Sequence, residues 1–141
     1  MKTLLLDDGD LVLGSGSFET VTGPTKLRQD LSYAMREPIG TDRFHPGWGS
    51  ILPSLVGEPI TDTLLTRVEG EVRRVLDNYV VVQRDRMSRD RRSGQPSRFT
   101  SGEVIDTVKA VSVRPDWDRV HVRADILTLT ADEVVVFTVR G

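Results

Sequence analysis

An apolar stripe in the middle of the chain constrains the fold more than any other sequence feature. Apolar side chains recur there at alternating spacings of three and four residues, at Leu65, Val68, Val72, Val75, Tyr79 and Val82. This spacing places all of them on one face of an α-helix. Thr61 or Asp62 can cap the start of the helix, and the Gly- and Pro-containing run at residues 93–97 predicts its end near Arg92.

The period of the stripe is about 3.5 residues, which is also the period of a coiled-coil seam. The stripe covers only about two and a half heptads, and we therefore favour a helix that packs across a small sheet in its own domain. The next positions in the register are Arg86 and Arg89. We expect the helix beyond Val82 to continue as a solvated extension.

The segments on either side of this helix are rich in β-forming residues. Near the N-terminus, two leucine-containing runs at residues 4–6 and 11–13 flank an Asp-Gly step, which predicts a β-hairpin. Near the C-terminus, apolar runs at residues 108–113, 120–130 and 134–139 are separated by Pro115-Asp116 and by residues 131–133. They predict a three-stranded antiparallel β-meander.

A shorter helix and a compact loop precede the long helix. Gly23 and Pro24 suit a helix start, and Pro38 predicts its end. Residues 39–61 combine glycines, prolines and two aromatic residues, and we interpret them as an ordered loop with a short apolar turn at residues 51–56. Thr100 and Glu103 have the spacing of a capping box. The fold class is therefore α+β: a small single domain with an N-terminal β-hairpin, two main helices and a C-terminal antiparallel β-meander.

Composition excludes several classes of function. The chain has 141 residues, a formal net charge of −2 and no cysteine. One domain accounts for this length, and disulfides and thiolate metal sites are excluded. The N-terminal leucine run is too short for a signal peptide, and no stretch has the length of a membrane span. We expect a protein made in a cytoplasm.

The candidate sites for chemistry are few. His45 and His121 are far apart and lack the spacing of a metal site, and no nucleotide-binding or nucleophile motif is present. We expect no cofactor and no enzymatic activity. Glycoside hydrolysis would need two facing carboxylates, which the sequence alone does not place.

Two groups of residues suggest contacts with other proteins. Six arginines and two aspartates lie between Arg84 and Arg98. They are interpreted either as a solvated helix end or as a binding surface, and a partner protein is favoured over nucleic acid because no aromatic residue is interleaved. Phe44 and Trp48 are interpreted either as an apolar plug of the domain or as an interface anchor.

The first helix and the loop after it carry a motif. Lys26 to Leu31 read K-L-R-Q-D-L, residues 39–43 read I-G-T-D-R, and residues 46–50 read P-G-W-G-S. The motif positions are Lys26, Arg28, Gln29, Gly40, Asp42, Arg43, Pro46, Trp48, Gly49 and Pro59. With these residues the chain resembles the GPW-type small baseplate wedge, or sheath-initiator, family of contractile phage tails and related injection systems. Members of this family are sometimes labelled lysozyme-like.

The chain departs from the family pattern in two places. The glutamate-proline-arginine motif expected before the strands is reduced to the acid of Gly102-Glu103-Val104. Residues 84–101 form an apparent arginine-rich insertion, whereas residues 1–21 form a short β segment ahead of the family-like region.

The resemblance implies a structural component of the virion, in the tail baseplate, made in the host cytoplasm. It would join the wedge to the tail tube and initiate sheath assembly in a sixfold setting. Its partners would be other wedge proteins, tube or hub proteins and the sheath subunit. We expect these partners to bind at Arg84, Arg86, Arg89, Arg91, Arg92, Glu103, Val135, Phe137 and Val139, the last three belonging to an open edge strand that fills pockets of a sheath subunit. The alternatives are a peptidoglycan hydrolase and a nucleic-acid-binding adaptor.

Overall fold

A computed structural model of the chain describes residues 2–8 and 10–140. These residues form seven strands, two α-helices and two short 3₁₀ helices, Leu52–Leu55 and Ser101–Glu103. The strands are β1 Thr3–Leu4, β2 Leu6–Asp7, β3 Asp10–Leu11, β4 Thr20–Val21, β5 Ile105–Asp116, β6 Arg119–Thr128 and β7 Asp132–Arg140, and the helices are α1 Gly23–Arg36 and α2 Asp62–Arg92. The predicted α+β fold is confirmed.

The C-terminal strands form an antiparallel sheet in the order β5-β6-β7. Its core-facing side chains include Val111, Val120, Val122, Ile126 and Val135, which pack into one apolar cluster with residues of both helices. Because side chains alternate along a strand, the other face of the sheet carries polar and partly exposed residues such as Arg123. The sheet is therefore covered on one face and open on the other.

The predicted hairpin before α1 is confirmed. β2 pairs with β3, with Leu6 opposite Leu11 and Asp7 opposite Asp10, and β1 pairs with β4. The glycine of the predicted Asp-Gly turn lies outside the described residues. Gln29 of α1 fastens this segment, because its side chain accepts a hydrogen bond from the Leu6 N–H at 3.0 Å and donates one to the Leu4 carbonyl at 2.9 Å.

Helix α2 has the predicted extent and the predicted cap. The Thr61 hydroxyl accepts a hydrogen bond from the Leu64 N–H at 3.2 Å. Four residues of the predicted stripe are buried in the core, and the stripe starts at Leu64 rather than at the partly buried Leu65. The stripe thus faces the core of its own domain.

The expectation of a solvated extension beyond Val82 is wrong in one respect. Gln83 is only 2% exposed and Asp90 is buried as well. Gln83 donates to the Glu103 carbonyl at 2.6 Å and accepts from the Ile105 N–H at 2.9 Å. Gln83 and Asp90 follow Tyr79 on the same helix face, so polar residues extend the buried face where the apolar stripe ends.

The turn between β5 and β6 differs from the prediction. Pro115 lies inside β5, opposite Val120, and the chain reverses at Trp117 and Asp118. Proline is tolerated there because β5 is an edge strand. A proline nitrogen on its outer edge removes no hydrogen bond from the pairing with the neighbouring strand. No helix within the described ranges has the length and apolar character needed to cross a membrane.

Candidate functional site

The signature loop, residues 39–61, is fastened to the end of α1. Ser50 makes three of the contacts: its N–H donates to the Glu37 carbonyl at 2.7 Å, its carbonyl accepts from the Ile39 N–H at 3.0 Å, and its hydroxyl donates to the Met35 carbonyl at 2.6 Å. The loop therefore returns to the helix end that Pro38 terminates.

Gly49 is the residue that permits this return. Its φ is +93°, and a Cβ placed on it would lie 2.6 Å from the Glu37 carbonyl oxygen and 3.0 Å from two backbone atoms of Pro38. A contact of that kind does not occur in real structures, so the motif glycine is required both by its φ and by the close approach of the two backbones.

An ion pair on α2, between the buried Glu71 and the partly exposed Arg74, completes the support of the loop. Glu71 accepts from the Ile51 N–H at 2.8 Å and from Arg74 at 2.7 Å, and Arg74 also donates to the Gly49 carbonyl at 2.8 Å. Burial raises the pKa of Glu71, but the hydrogen bonds from Arg74 and Ile51 outweigh it and lower that pKa below its ordinary value. Sequence analysis missed this pair, although an acid and an arginine three residues apart on a helix are a usable signal.

The two aromatic residues of the loop have different environments. Trp48 is half-buried and packs against the core, with its ring 6.0 Å from that of Tyr79. Phe44 is 85% exposed. The plug interpretation therefore applies to Trp48, and Phe44 remains available to a partner.

The remaining motif residues of the loop shape its surface. The Asp42 carboxylate accepts from the Phe44 N–H at 2.8 Å and contacts His45 Nδ1 at 2.9 Å. The His45 hydrogen bond, helped by the Phe44 N–H, lowers the pKa of Asp42. Gly40 has a φ of +85°. Arg43, Pro46 and Pro59 are exposed.

A cavity of about 550 Å³ lies between α1, α2 and the signature loop. Its walls carry the rings of Trp48, Tyr79 and Phe99 and the charged groups of Lys26, Asp30 and Arg86. Lys26 forms an ion pair with Asp30 and lies 6.0 Å from the centre of the Phe99 ring. Tyr79 donates to Asp30 at 3.2 Å.

The polar groups described in this cavity make their hydrogen bonds and ion pairs within the domain. Burial, followed by the charge of Asp30, raises the pKa of Tyr79 far above its ordinary value, so the hydroxyl stays a donor. Lys26 is buried and paired, and Arg28, on an exposed part of α1, pairs with Glu133 of β7. The motif residues of α1 thus fasten α1 to the first strands, to the cavity and to the sheet.

The arginines expected to bind partners fall into two groups. Arg98 forms two-pronged hydrogen bonds with the buried Asp90, with Nη2 2.6 Å from Oδ1 and Nε 3.0 Å from Oδ2. Arg84 donates to the Asp106 carbonyl and Arg86 borders the cavity. The second group, Arg89, Arg91 and Arg92, lies in the exposed last turns of α2, and Arg89 pairs with Asp85 across one helical turn.

Glu103 differs from its expected role as a partner-binding residue. It is 1% exposed, and its carboxylate accepts from the Gly23 N–H at 2.9 Å and from the Thr100 N–H at 3.4 Å. The predicted capping box is confirmed. The carboxylate joins the start of α1 to the segment before β5, and burial keeps it from direct contact with a partner.

The last strand, β7, is an edge strand, as expected. Its side chains, however, do not point toward a partner as the sequence predicts. Within residues 2–8 and 10–140, the backbone of β7 pairs with β6 alone, so its other edge is unpaired. Val135 and Val139 are buried and Phe137 packs against the core. The expectation that these three side chains fill a partner's pockets is therefore wrong, because they belong to the domain's own core. The exposed apolar side chains of β7 are Val134 and Val136.

The described ranges contain no group of three His, Cys, Asp or Glu side chains placed to hold a metal ion.

Comparisons with known proteins bear on the fold. No protein-family model matches the chain, and no curated protein matches it at a significant level. The class of fold, two helices on one face of a three-stranded antiparallel sheet, has a counterpart among solved structures. That counterpart is a provisionally named tail lysozyme from Geobacter sulfurreducens, with a TM-score of 0.50 and 14% identity, over 82% of this chain and 90% of that chain. At this identity the similarity shows the fold alone.

Proposed function

We propose that this chain is a structural component of a contractile tail baseplate, which joins wedge to tube and initiates sheath assembly through β7. The observation that carries the proposal is the unpaired edge of β7, one of the two outer strands of the sheet. Two further observations support it. The fold is similar to that of a protein named as a tail lysozyme, and the sequence resembles the small wedge proteins of contractile tails.

The mechanism is the addition of a strand. An edge strand presents a row of unpaired N–H and C=O groups, and a strand from a sheath subunit would satisfy them. Because Val135 and Val139 are already packed in the core, β7 is formed before its partner arrives. The partner then joins a rigid template, and association is not opposed by the cost of ordering the strand.

The exposed arginines supply the second contact in this proposal. Arg89, Arg91 and Arg92 lie in the last turns of α2, where Asp85 offsets only part of their charge. We propose that they bind an acidic face of a neighbouring wedge protein. Arg84 and Arg98 are committed to contacts within the domain, so they contribute less.

The test of sheath initiation leaves the core intact. Removing residues 130–141 would also remove Val135 and Val139 and would unfold the sheet. The better perturbation is a double substitution of the exposed β7 residues, Val134→Lys with Val136→Lys, because lysines on an edge strand oppose strand addition. A matched control is Val134→Thr with Val136→Thr, which keeps the β propensity.

The measurement is electron microscopy of tails from cells in which each variant replaces the natural chain. We expect the lysine variant to give baseplates with bare tubes, and the threonine variant to give sheathed tails. Circular dichroism of both purified variants checks that they remain folded. Sheathed tails at the normal frequency in the folded lysine variant would refute initiation at β7.

The alternative of a peptidoglycan hydrolase has one observation in its favour: two carboxylates, Asp30 and Asp42, border the same cavity. The lowered pKa of Asp42 opposes the role of general acid, which needs a raised pKa. A peptidoglycan-release assay with the purified protein decides the question. Release that disappears in Asp30→Asn or Asp42→Asn would favour the hydrolase over the structural role.

A further inference from the structure

An apolar groove runs beside β7. It has a volume of about 320 Å³ and lies between the end of α1, the first 3₁₀ helix and the last strand. Its walls carry the apolar side chains of Met35, Leu52, Pro53, Val56, Phe137 and Val139, and the exposed Arg36 also borders it. Val56, at its rim, is a large apolar side chain that is 57% exposed.

The groove lies along the unpaired edge of β7 rather than beneath the sheet. Three consecutive residues, Phe137, Thr138 and Val139, border it. The Thr138 side chain points to the opposite face, where its hydroxyl lies 3.2 Å from His121 Nδ1. Thr138 therefore borders the groove through its backbone. Since β6 occupies one edge of β7, the groove lies at the other edge.

A strand added to β7 would place alternate side chains over this groove. Side chains of neighbouring strands in a sheet stand side by side on the same face, so those next to Phe137 and Val139 would point between α1 and the first 3₁₀ helix. The volume is at the lower end of the range for ligand pockets, roughly 300–1,000 Å³. It suits one or two large side chains.

We propose that this groove selects the strand that pairs with β7, by requiring large apolar side chains on the face that meets Phe137 and Val139. This inference rests on the function proposed above, because it specifies the partner of the same edge. The backbone of β7 supplies affinity for any strand, whereas the groove distinguishes an apolar strand from a polar one. A strand with polar residues on this face would bury them against the apolar side chains of Met35 and Leu52, which offer no hydrogen bonds.

The test attaches a strand to the full chain. An Asn-Gly turn and a strand of about eight residues, within the usual range of 3–10, follow residue 141, so that the strand folds back along the unpaired edge. Two versions alternate leucine and threonine in opposite phase. Their compositions are identical, but a shift of one residue moves every leucine to the other face. Because the added strand is covalently attached to the chain, it can pair with β7 even if its intrinsic affinity is low.

The measurement is amide hydrogen exchange of β7 in both fusions. We expect exchange at the unpaired edge to slow by about 10- to 100-fold more with leucines over the groove than with leucines on the open face, from the usual effect of burying a leucine side chain. Val56→Glu, in the groove, should abolish this difference. Val81→Glu, a valine of similar exposure on α2 (65%), should leave it unchanged.

The possible outcomes test the selection of apolar strands by the groove separately from sheath initiation by β7. Equal protection by the two fusions, protection by neither, or a difference that survives Val56→Glu would overturn the selection by the groove. The same fusion introduced into tail-producing cells should block the edge and yield bare tubes. Normal sheaths, together with the expected protection pattern, would overturn sheath initiation while the groove still selected apolar strands.

Discussion

Replacing Gly49 by alanine tests how the signature loop is built. The new Cβ would lie 2.6 Å from the Glu37 carbonyl oxygen and 3.0 Å from the carbonyl carbon and oxygen of Pro38. All three atoms belong to the backbone, so no side-chain rotation relieves the clash. The φ of +93° adds a conformational cost, since a residue with a Cβ disfavours it.

The magnitude follows from these contacts. Positive φ costs an alanine about 1–2 kcal/mol. Separating the two backbones would also lengthen the hydrogen bonds from Ser50 N–H to Glu37 (2.7 Å) and from Arg74 to the Gly49 carbonyl (2.8 Å), each worth roughly 1 kcal/mol. We expect Gly49→Ala to lower the free energy of unfolding by about 3–4 kcal/mol.

Two other glycines of the loop serve as controls. Gly40 has a φ of +85° but open space around a Cβ, and Gly47 has open space and no positive φ. Urea unfolding should show a loss of about 1 kcal/mol for Gly40→Ala and a change within about 0.5 kcal/mol for Gly47→Ala. If Gly49→Ala lost no more than Gly40→Ala, the close backbone approach would have no energetic weight and the reasoning would fail.

Three further substitutions have defined expectations. Trp117 is 97% exposed and has a φ of +53°. Trp117→Gly should therefore raise the free energy of unfolding by about 1 kcal/mol and the Tm by about 3 °C. The control is Asp118→Gly, since Asp118 has no positive φ, and a Tm of Trp117→Gly no higher than that of this control would contradict the prediction. Hydrogen bonds from Arg98 lower the pKa of Asp90, so this charge stabilises the fold above the unfolded pKa of about 4 and the stabilisation is lost as the pH falls through the folded pKa. The deficit of Asp90→Asn in urea midpoints should therefore shrink between pH 7 and about pH 2, and a constant deficit would exclude the charge as its cause. Gln83→Leu should cost about 2 kcal/mol or more in urea unfolding, because it removes the hydrogen bonds of Gln83 to the buried Ile105 N–H and to the Glu103 carbonyl. A neutral result would mean that water replaces both bonds.

The elements that sequence analysis placed correctly are those with local signals. The α2 stripe, the Thr61 cap, the capping box at Thr100 and the proline that ends α1 each depend on residues within one or two turns. Such signals survive in the fold because tertiary contacts reinforce them.

The features that sequence analysis missed depend on contacts between distant segments. Residues 134–137 are all apolar, so alternation could not show that Val135 faces the core and Val136 the solvent. The links from Asp90 to Arg98 and from Gln83 to Glu103 join polar residues, which a search for apolar periodicity ignores. The sequence does not reveal that Glu103 is buried, because its carboxylate binds the N–H of Gly23, 80 residues away.

Hydrogen bonds hold both ends of α2, and this affects how the helix can move. A helix of 31 residues is about 46 Å long at 1.5 Å per residue, and isolated helix ends usually fray. Here Thr61 caps one end, and Asp90 and Ser93 hold the other through Arg98 and the Arg89 carbonyl. Both ends of the helix are therefore held by hydrogen bonds, and we expect a displacement of the signature loop to move the arginines at the far end together with it.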